Sequence, residues 1–101
     1  MDWLWTWSGV SFGYRDQDQL RTHDGRHVGR FIENEIYGPD AQYLGELGAE
    51  DRLITRQRKL GRRKLSFRPR MKRMARMRRM NRMARMMRLG CEDFPTPETL
   101  R

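Results

Sequence analysis

The stretch HDGRHVGRF, residues 23–31, decides the fold because its pattern recurs at a fixed interval along the chain. Four glycines are spaced sixteen residues apart, and each follows an apolar residue. These apolar–glycine pairs are Phe12-Gly13, Val28-Gly29, Leu44-Gly45 and Leu60-Gly61. Leu4, Leu20 and Ile36 recur at the same interval. Self-similarity at a fixed period is the signature of a repeat architecture, and we therefore predict four copies of one structural unit.

Each unit has the pattern of a β-hairpin. A turn dipeptide lies between two short alternating runs in three copies, as Ser8-Gly9, Asp24-Gly25 and Asp40-Ala41. Such dipeptides favour the positive φ of a tight hairpin turn. The predicted pairs are LWTW with VSFGY, QLRTH with RHVGRF, EIYGP with QYLGEL and RLITR with KLGRRKLSF. The polar linkers RDQDQ, IENE and GAED are expected to be exposed connections.

The glycine in the second strand of each unit predicts a bend. Glycine within a strand weakens it and marks a bulge or a close approach of two backbones. The same bend repeated four times would close the hairpins into a ring around a pseudo-fourfold axis, with the apolar neighbours pointing inward. Closure would also remove the exposed sheet edges. An open meander that tolerates these glycines is the alternative.

The repeated pattern resembles the four-fold beta flower family of small bacterial β-repeat proteins. The resemblance covers roughly residues 3–67 and depends on WSGVSFGY, HDGRHVGRF, PDAQYLGEL and RKLGRRKLSF. It implies the fold and brings no catalytic residues with it. The third copy departs from the pattern at Ala41, and the fourth has lost its turn signal at Arg56-Gln57.

Charge divides the chain of 101 residues into unequal parts. Residues 1–55 carry a net charge of −5, residues 56–88 carry +16 without a single acid, and residues 89–101 carry −2. This distribution indicates an acidic domain that runs into a basic segment. We predict a repeat domain over 1–67, an Arg/Met-rich segment over 68–89 and a flexible tail over 90–101.

The basic segment RPRMKRMARMRRMNRMARMMR, residues 68–88, predicts a C-terminal α-helix. Pro69 can begin a helix, Gly90 can end one, and arginine, methionine and alanine are good helix formers. Six methionines recur at every third residue. Because an α-helix turns 100° per residue, these methionines cannot share one face, and the apolar stripe would change sides near Met77. The expected helix is therefore only locally amphipathic.

Three interpretations of the basic segment stay open: phosphate binding, docking to an anionic membrane or a partner's groove, and a solvated low-complexity extension. Docking of the segment onto the acidic domain of its own chain would mask such binding. The candidate polyanion-binding residues are Arg62, Arg63, Lys64, Arg68, Lys72, Arg73, Arg76, Arg78, Arg79, Arg82, Arg85 and Arg88.

The sequence favours a non-catalytic β-repeat interaction module, with a nucleic-acid-binding protein acting through residues 56–88 as the alternative. No catalytic, cofactor or metal constellation is evident, and His23 and His27 lack a third ligand. Trp3, Trp5 and Trp7 alternate onto one strand face, where they could pack against neighbours or stack on a ligand. A single cysteine, Cys91, and the absence of a secretory pattern favour a reducing, cytoplasmic setting. We expect an unknown protein partner, possible contact with nucleic acid or an anionic surface, and no membrane span.

Overall fold

The computed structural model describes residues 1–100, and its regular elements are nearly all strands. These strands are β1 (Asp2–Thr6), β2 (Ser11–Asp16), β3 (Gln19–Thr22), β4 (His27–Ile32), β5 (Glu35–Tyr37), β6 (Tyr43–Leu47), β7 (Arg52–Arg56) and β8 (Cys91–Asp93). One-turn 3-10 helices occur at Ala49–Asp51, Gln57–Lys59 and Pro97–Thr99. The predicted all-β class is confirmed.

Strands β1 to β7 form an antiparallel meander that closes on itself. Consecutive strands are neighbours in the sheet, and β1 also pairs with β7, in parallel, through Trp5 with Arg52 and Thr6 with Leu53. The last strand, β8, is antiparallel to β7 and pairs with its second half. The predicted closure is confirmed as a seven-strand barrel. It removes the free edges on which an open meander would expose unpaired backbone groups.

Three turns at one rim of the barrel are copies of one another. In each, an N–H bonds back to the carbonyl three residues earlier: Gly9 to Thr6, Gly25 to Thr22 and Ala41 to Gly38, all at 2.9 Å. The last residue of each turn has positive φ, at 96° for Gly9, 92° for Gly25 and 75° for Ala41. The predicted dipeptides therefore mark the turns, although the loop is the three-residue form that ends in a left-handed residue.

The predicted bends occur beside the first three glycines. The register shifts directly after the pairs Leu4–Gly13, Leu20–Gly29 and Ile36–Gly45. Glycine is required here by close approach rather than by φ: a Cβ on Gly13 would lie 2.7 Å from the Cα of Thr22. The bend therefore recurs every sixteen residues in three copies.

The barrel interior contains the predicted apolar positions of these three copies. The buried cluster consists of Leu4, Phe12, Leu20, Val28, Phe31, Ile36, Leu53 and Phe94, with Leu44, Leu47 and Leu100 packed partly against it. Leu60 was predicted to point inward and does not, since 51% of it is exposed.

The predicted fourth hairpin is wrong. After β7 the chain makes a 3-10 turn at Gln57–Lys59, and Gly61 lies in an exposed turn with φ of 94°. The free half of β7 pairs with β8 instead. Phe94, directly after β8, is 2% exposed and packs edge-to-face on Phe12 with 5.4 Å between ring centroids. Residues close to the C-terminus therefore supply what the degenerate fourth copy lacks.

The predicted C-terminal basic α-helix is also wrong. Residues 64–88 contain no helix or strand. Together with residues 62 and 63 they form an extended strap across the barrel surface. The flexible tail expected over 90–101 instead forms β8 and the 3-10 turn at Pro97–Thr99 as far as residue 100, and Arg101 lies outside the described residues. Phe94, which follows the strap, lies in the same buried cluster as Leu4 and Phe12 of the first hairpin.

Candidate interaction surface

The strap, residues 62–88, crosses the three equivalent turns at equal intervals. Backbone N–H groups of Lys64, Arg73 and Arg82 donate to the carbonyls of Ala41, Gly25 and Gly9 at 2.9, 3.0 and 2.8 Å. The strap residues are nine apart and the turn residues sixteen apart, in opposite order along the chain. One repeat of the barrel therefore corresponds to three triplets of the strap.

The triplet period comes from the extended conformation of the strap. Inward-pointing N–H groups follow a spacing of three residues, at Lys64, Phe67, Arg70, Arg73 and Arg76, and then, after a gap at Arg79, at Arg82. The carbonyls of Met71, Met80 and Met86 accept hydrogen bonds from the side chains of Arg21, Trp5 and Trp7 at 3.1, 2.8 and 3.0 Å. An extended chain with three residues per turn presents every third side chain on the same side. A methionine–X–arginine triplet therefore has one constant orientation.

The arginines of the last five triplets, residues 74–88, lie against aromatic rings of the barrel. The distances from the guanidinium carbon to the ring centroid are 5.5 Å for Arg76 on Tyr14, 4.7 Å for Arg79 on Trp3, 3.5 Å for Arg82 on Trp5, and 5.6 and 5.0 Å for Arg85 and Arg88 on Trp7. All five distances are within the range of a cation–π interaction, which contributes about 0.5–1 kcal/mol at an exposed site. The strap therefore packs on an aromatic platform formed by Trp3 and Trp5 of β1, Trp7 directly after it, and Tyr14 of β2.

A histidine fixes the strap where it crosses the second turn. His27 is buried, stacks on Phe67 at 4.8 Å between ring centroids, and accepts the N–H of Arg70 on Nδ1 at 3.0 Å. Burial lowers the pKa of His27, and the nearby charge of Arg21 lowers it further. A neutral imidazole is required here, because only the unprotonated Nδ1 can accept this bond.

Acidic residues of the barrel and tail neutralise part of the strap. Arg73 pairs with Asp16, and its hydrogen bond lowers the pKa of that carboxyl group. Three further pairs join Arg62 to Glu35 at 3.7 Å, Arg78 to Glu98 at 3.3 Å and Arg85 to Glu50 at 2.9 Å. These contacts agree with the expectation that the acidic domain docks its own basic segment.

All twelve candidate residues lie on this one strap. Arg63 donates to the carbonyl of Asp40 at 3.0 Å, and the ammonium of Lys64 lies 6.0 Å from the ring of Tyr37. Arg68 and Lys72 are exposed and form no ion pair with any residue in the range 1–100. Among the twelve candidates, Arg62, Arg73, Arg78 and Arg85 therefore form ion pairs with described residues, and the other eight do not.

Sequence reasoning missed the aromatic platform and the His27 clamp. The available signal was the strict period of three, which fits an extended threefold chain and not an α-helix. A second signal was the presence in one chain of regularly spaced arginines, at every third residue over 73–88, and of alternating tryptophans over 3–7, since arginine and tryptophan side chains attract each other.

Within residues 1–100 there is no cluster of three or more His, Cys, Asp or Glu side chains that could hold a metal ion. A helix of the length and apolarity needed to cross a bilayer is also missing from that range. No family model matches the chain, and neither a curated protein nor a solved structure resembles it significantly. The resemblance to the four-fold beta flower family therefore stays a prediction.

Proposed function

We propose that this protein is a non-catalytic interaction module that binds nucleic acid through the phosphate groups, with the strap as its contact surface. The observation that carries the proposal is the excess of free positive charge. Residues 56–88 contain sixteen Lys or Arg, and only six of them form an ion pair with a residue in the range 1–100. The remaining ten are Arg58, Arg63, Lys64, Arg68, Arg70, Lys72, Arg76, Arg79, Arg82 and Arg88.

The attachment of the strap favours binding because it holds these charges on a continuous exposed path. A free chain with the same composition would lose conformational entropy on binding, at a cost of about 1–2 kcal/mol for each backbone residue fixed. Folding already fixes much of the strap backbone, because the N–H groups of Lys64, Arg73 and Arg82 donate hydrogen bonds to the turns. Less conformational entropy therefore remains to be lost on binding. Stacking also leaves the edge of each guanidinium, which carries the N–H donors, available to a phosphate.

The same stacking argues against recognition of individual bases. Proteins that bind single strands usually stack bases on aromatic rings. Here the rings of Trp3, Trp5 and Trp7 are already covered by arginines of the strap. The expected binding is therefore electrostatic, tolerant of sequence and steeply dependent on salt.

The experiment measures the affinity of the full chain for a labelled single strand and a duplex across a series of salt concentrations. The variants Arg68→Gln and Lys72→Gln each remove one free charge. Each is expected to reduce the slope of log K against log salt by about 0.7–0.9. Arg15→Gln is the charge-matched control, because Arg15 lies on β2, stacks on Phe31 and belongs to the barrel. Equal effects of all three substitutions, or no binding at low salt, would overturn the proposal.

A further inference from the structure

The side of the strap that faces away from the barrel is a row of methionines. Met71, Met74, Met77, Met80, Met83 and Met86 are each 88–92% exposed. They are the largest group of exposed apolar side chains in the described chain, and nothing within it covers them. Apolar side chains exposed together in this way mark a surface that binds something.

The extended strap places neighbouring thioethers within reach of one another. At about 3.1 Å per residue for a threefold chain, methionines three residues apart leave the backbone roughly 9 Å apart on the same side. Each sulfur is carried on an unbranched arm with three rotatable bonds. Two neighbouring arms can therefore turn toward each other and place both sulfurs on one ion, whereas second neighbours, at twice the separation, cannot.

The donor set selects the kind of ion. Thioether sulfur is soft and uncharged, and among metals in proteins it suits Cu(I) and chemically similar soft monovalent ions. Hard cations such as Mg²⁺ and Ca²⁺ require oxygen ligands, which the row does not supply.

The arginines that contact the tryptophans are directed away from the sulfurs. Arg79, Arg82 and Arg85 lie over the rings of Trp3, Trp5 and Trp7, on the barrel side of the strap. The electron-rich ring faces accept part of this charge. These three guanidinium groups therefore lie on the opposite side of the strap from the sulfurs.

We propose that the methionine row binds Cu(I), with pairs of neighbouring thioethers as the ligands. This site is independent of nucleic-acid binding, because the sulfurs are uncharged and make no contact with phosphate. Since six methionines form about three such pairs, up to three ions can be accommodated along the row.

The test uses Ag(I), a redox-stable analogue of Cu(I), in chloride-free buffer with the full-length protein. The background carries Cys91→Ser, because the half-buried Cys91 thiol is a competing soft ligand at the end of the strap. It also carries Met87→Leu, which removes an additional thioether next to the row. Calorimetry and native mass spectrometry give the affinity and the number of bound ions.

Two triple variants retain the same number of row methionines but differ in whether neighbouring pairs remain. They therefore distinguish an effect of pairing from an effect of the number of sulfurs. An alternating variant replaces Met74, Met80 and Met86 by leucine, which leaves no neighbouring pair. A contiguous variant replaces Met71, Met74 and Met77 by leucine and keeps two neighbouring pairs. Leucine preserves apolar character, and the high exposure of these side chains predicts an unchanged far-UV spectrum in both.

The alternating variant is expected to lose at least tenfold in Ag(I) affinity, and the contiguous variant is expected to stay within about threefold of the background. Identical affinities for the two variants would overturn the proposal. The same conclusion follows if the background protein binds Ag(I) no more tightly than free methionine does. Nucleic-acid affinity should be equal in all three proteins, so a failure of one proposal is distinguishable from a failure of the other.

Discussion

Replacing Gly25 by alanine should release the strap, whereas the same replacement at Gly61 should not. The two glycines have nearly the same backbone conformation, with φ of 92° and 94°. They differ in their surroundings. A Cβ on Gly25 would lie 2.7 Å from the carbonyl carbon of Arg73, and one on Gly61 would have no atom within 4 Å. The pair therefore separates the cost of backbone strain from the cost of displacing the strap.

At Gly61 only strain is expected, about 1–2 kcal/mol for a left-handed alanine. At Gly25 the strap must also move. This movement breaks the 3.0 Å hydrogen bond from the Arg73 N–H to the Gly25 carbonyl, which contributes about 1 kcal/mol. It also disturbs the buried Arg21, which donates to Gly25 and Met71 at 2.7 and 3.1 Å. Hydrogen bonds from a charged group contribute about 1.5–3 kcal/mol, so the total with the backbone strain is expected to be about 3.5–6 kcal/mol.

Urea denaturation followed by tryptophan fluorescence measures both free energies of unfolding. The effect of losing a glycine on the unfolded chain is the same at both sites and cancels in the comparison. A red shift of native fluorescence is expected only for Gly25→Ala, because the strap covers Trp3, Trp5 and Trp7. If the two substitutions lower the free energy of unfolding by amounts that agree within about 0.5 kcal/mol, the usual range for a surface substitution, the docking of the strap on the second turn is refuted.

Three further changes test other parts of the structure. Ala41→Gly relieves a left-handed alanine and should raise the free energy of unfolding by roughly 0.5–1 kcal/mol in a urea titration, and a decrease would contradict the turn equivalence. Phe94→Ala should cost about 3–5 kcal/mol in the same assay, and a cost below about 1 kcal/mol would show that residues after the strap do not complete the core. Stability should be constant between neutral pH and the onset of tyrosine ionisation. It should fall as the pH decreases below the ordinary histidine value of 6.5, because the lowered pKa of His27 means that the unfolded chain binds the proton more tightly. His27→Gln should weaken this dependence and His23→Gln should retain it, as measured by denaturation at several pH values.

The barrel was largely predictable because local signals agree with the global fold in three copies. The turn residues Gly9 and Gly25 satisfy a local need for positive φ, and the bend glycines Gly13 and Gly29 leave space for neighbouring strands. Both kinds recur at an interval that can be recognised in sequence. The fourth copy failed because strand pairing is decided by competition for an edge. β1 and β8 occupy the edge of β7, and nothing local to Leu60 indicates that a strand thirty residues later takes its place.

The strap was mispredicted because helix propensity was given more weight than periodicity. Arginine, methionine and alanine favour a helix in isolation. In the folded chain, hydrogen bonds from the strap N–H groups to the carbonyls of the barrel turns, together with stacking on Trp3 and Trp5, stabilise an extended conformation. Tertiary contacts outweigh propensities of a few tenths of a kcal/mol per residue. Which of the candidate charges form ion pairs depends on neighbours that only the fold supplies.

Each barrel repeat of sixteen residues is spanned by nine residues of the strap. The length of the barrel sequence and the length of the strap are therefore coupled, although the two are distant in the chain. A barrel enlarged by one hairpin could be spanned only if nine residues were inserted into the strap as well. Within the strap itself, a deletion of one residue would rotate everything beyond it by a third of a turn, and methionines would then face the tryptophans. Insertions and deletions in the strap are therefore compatible with its docking only when they add or remove whole triplets.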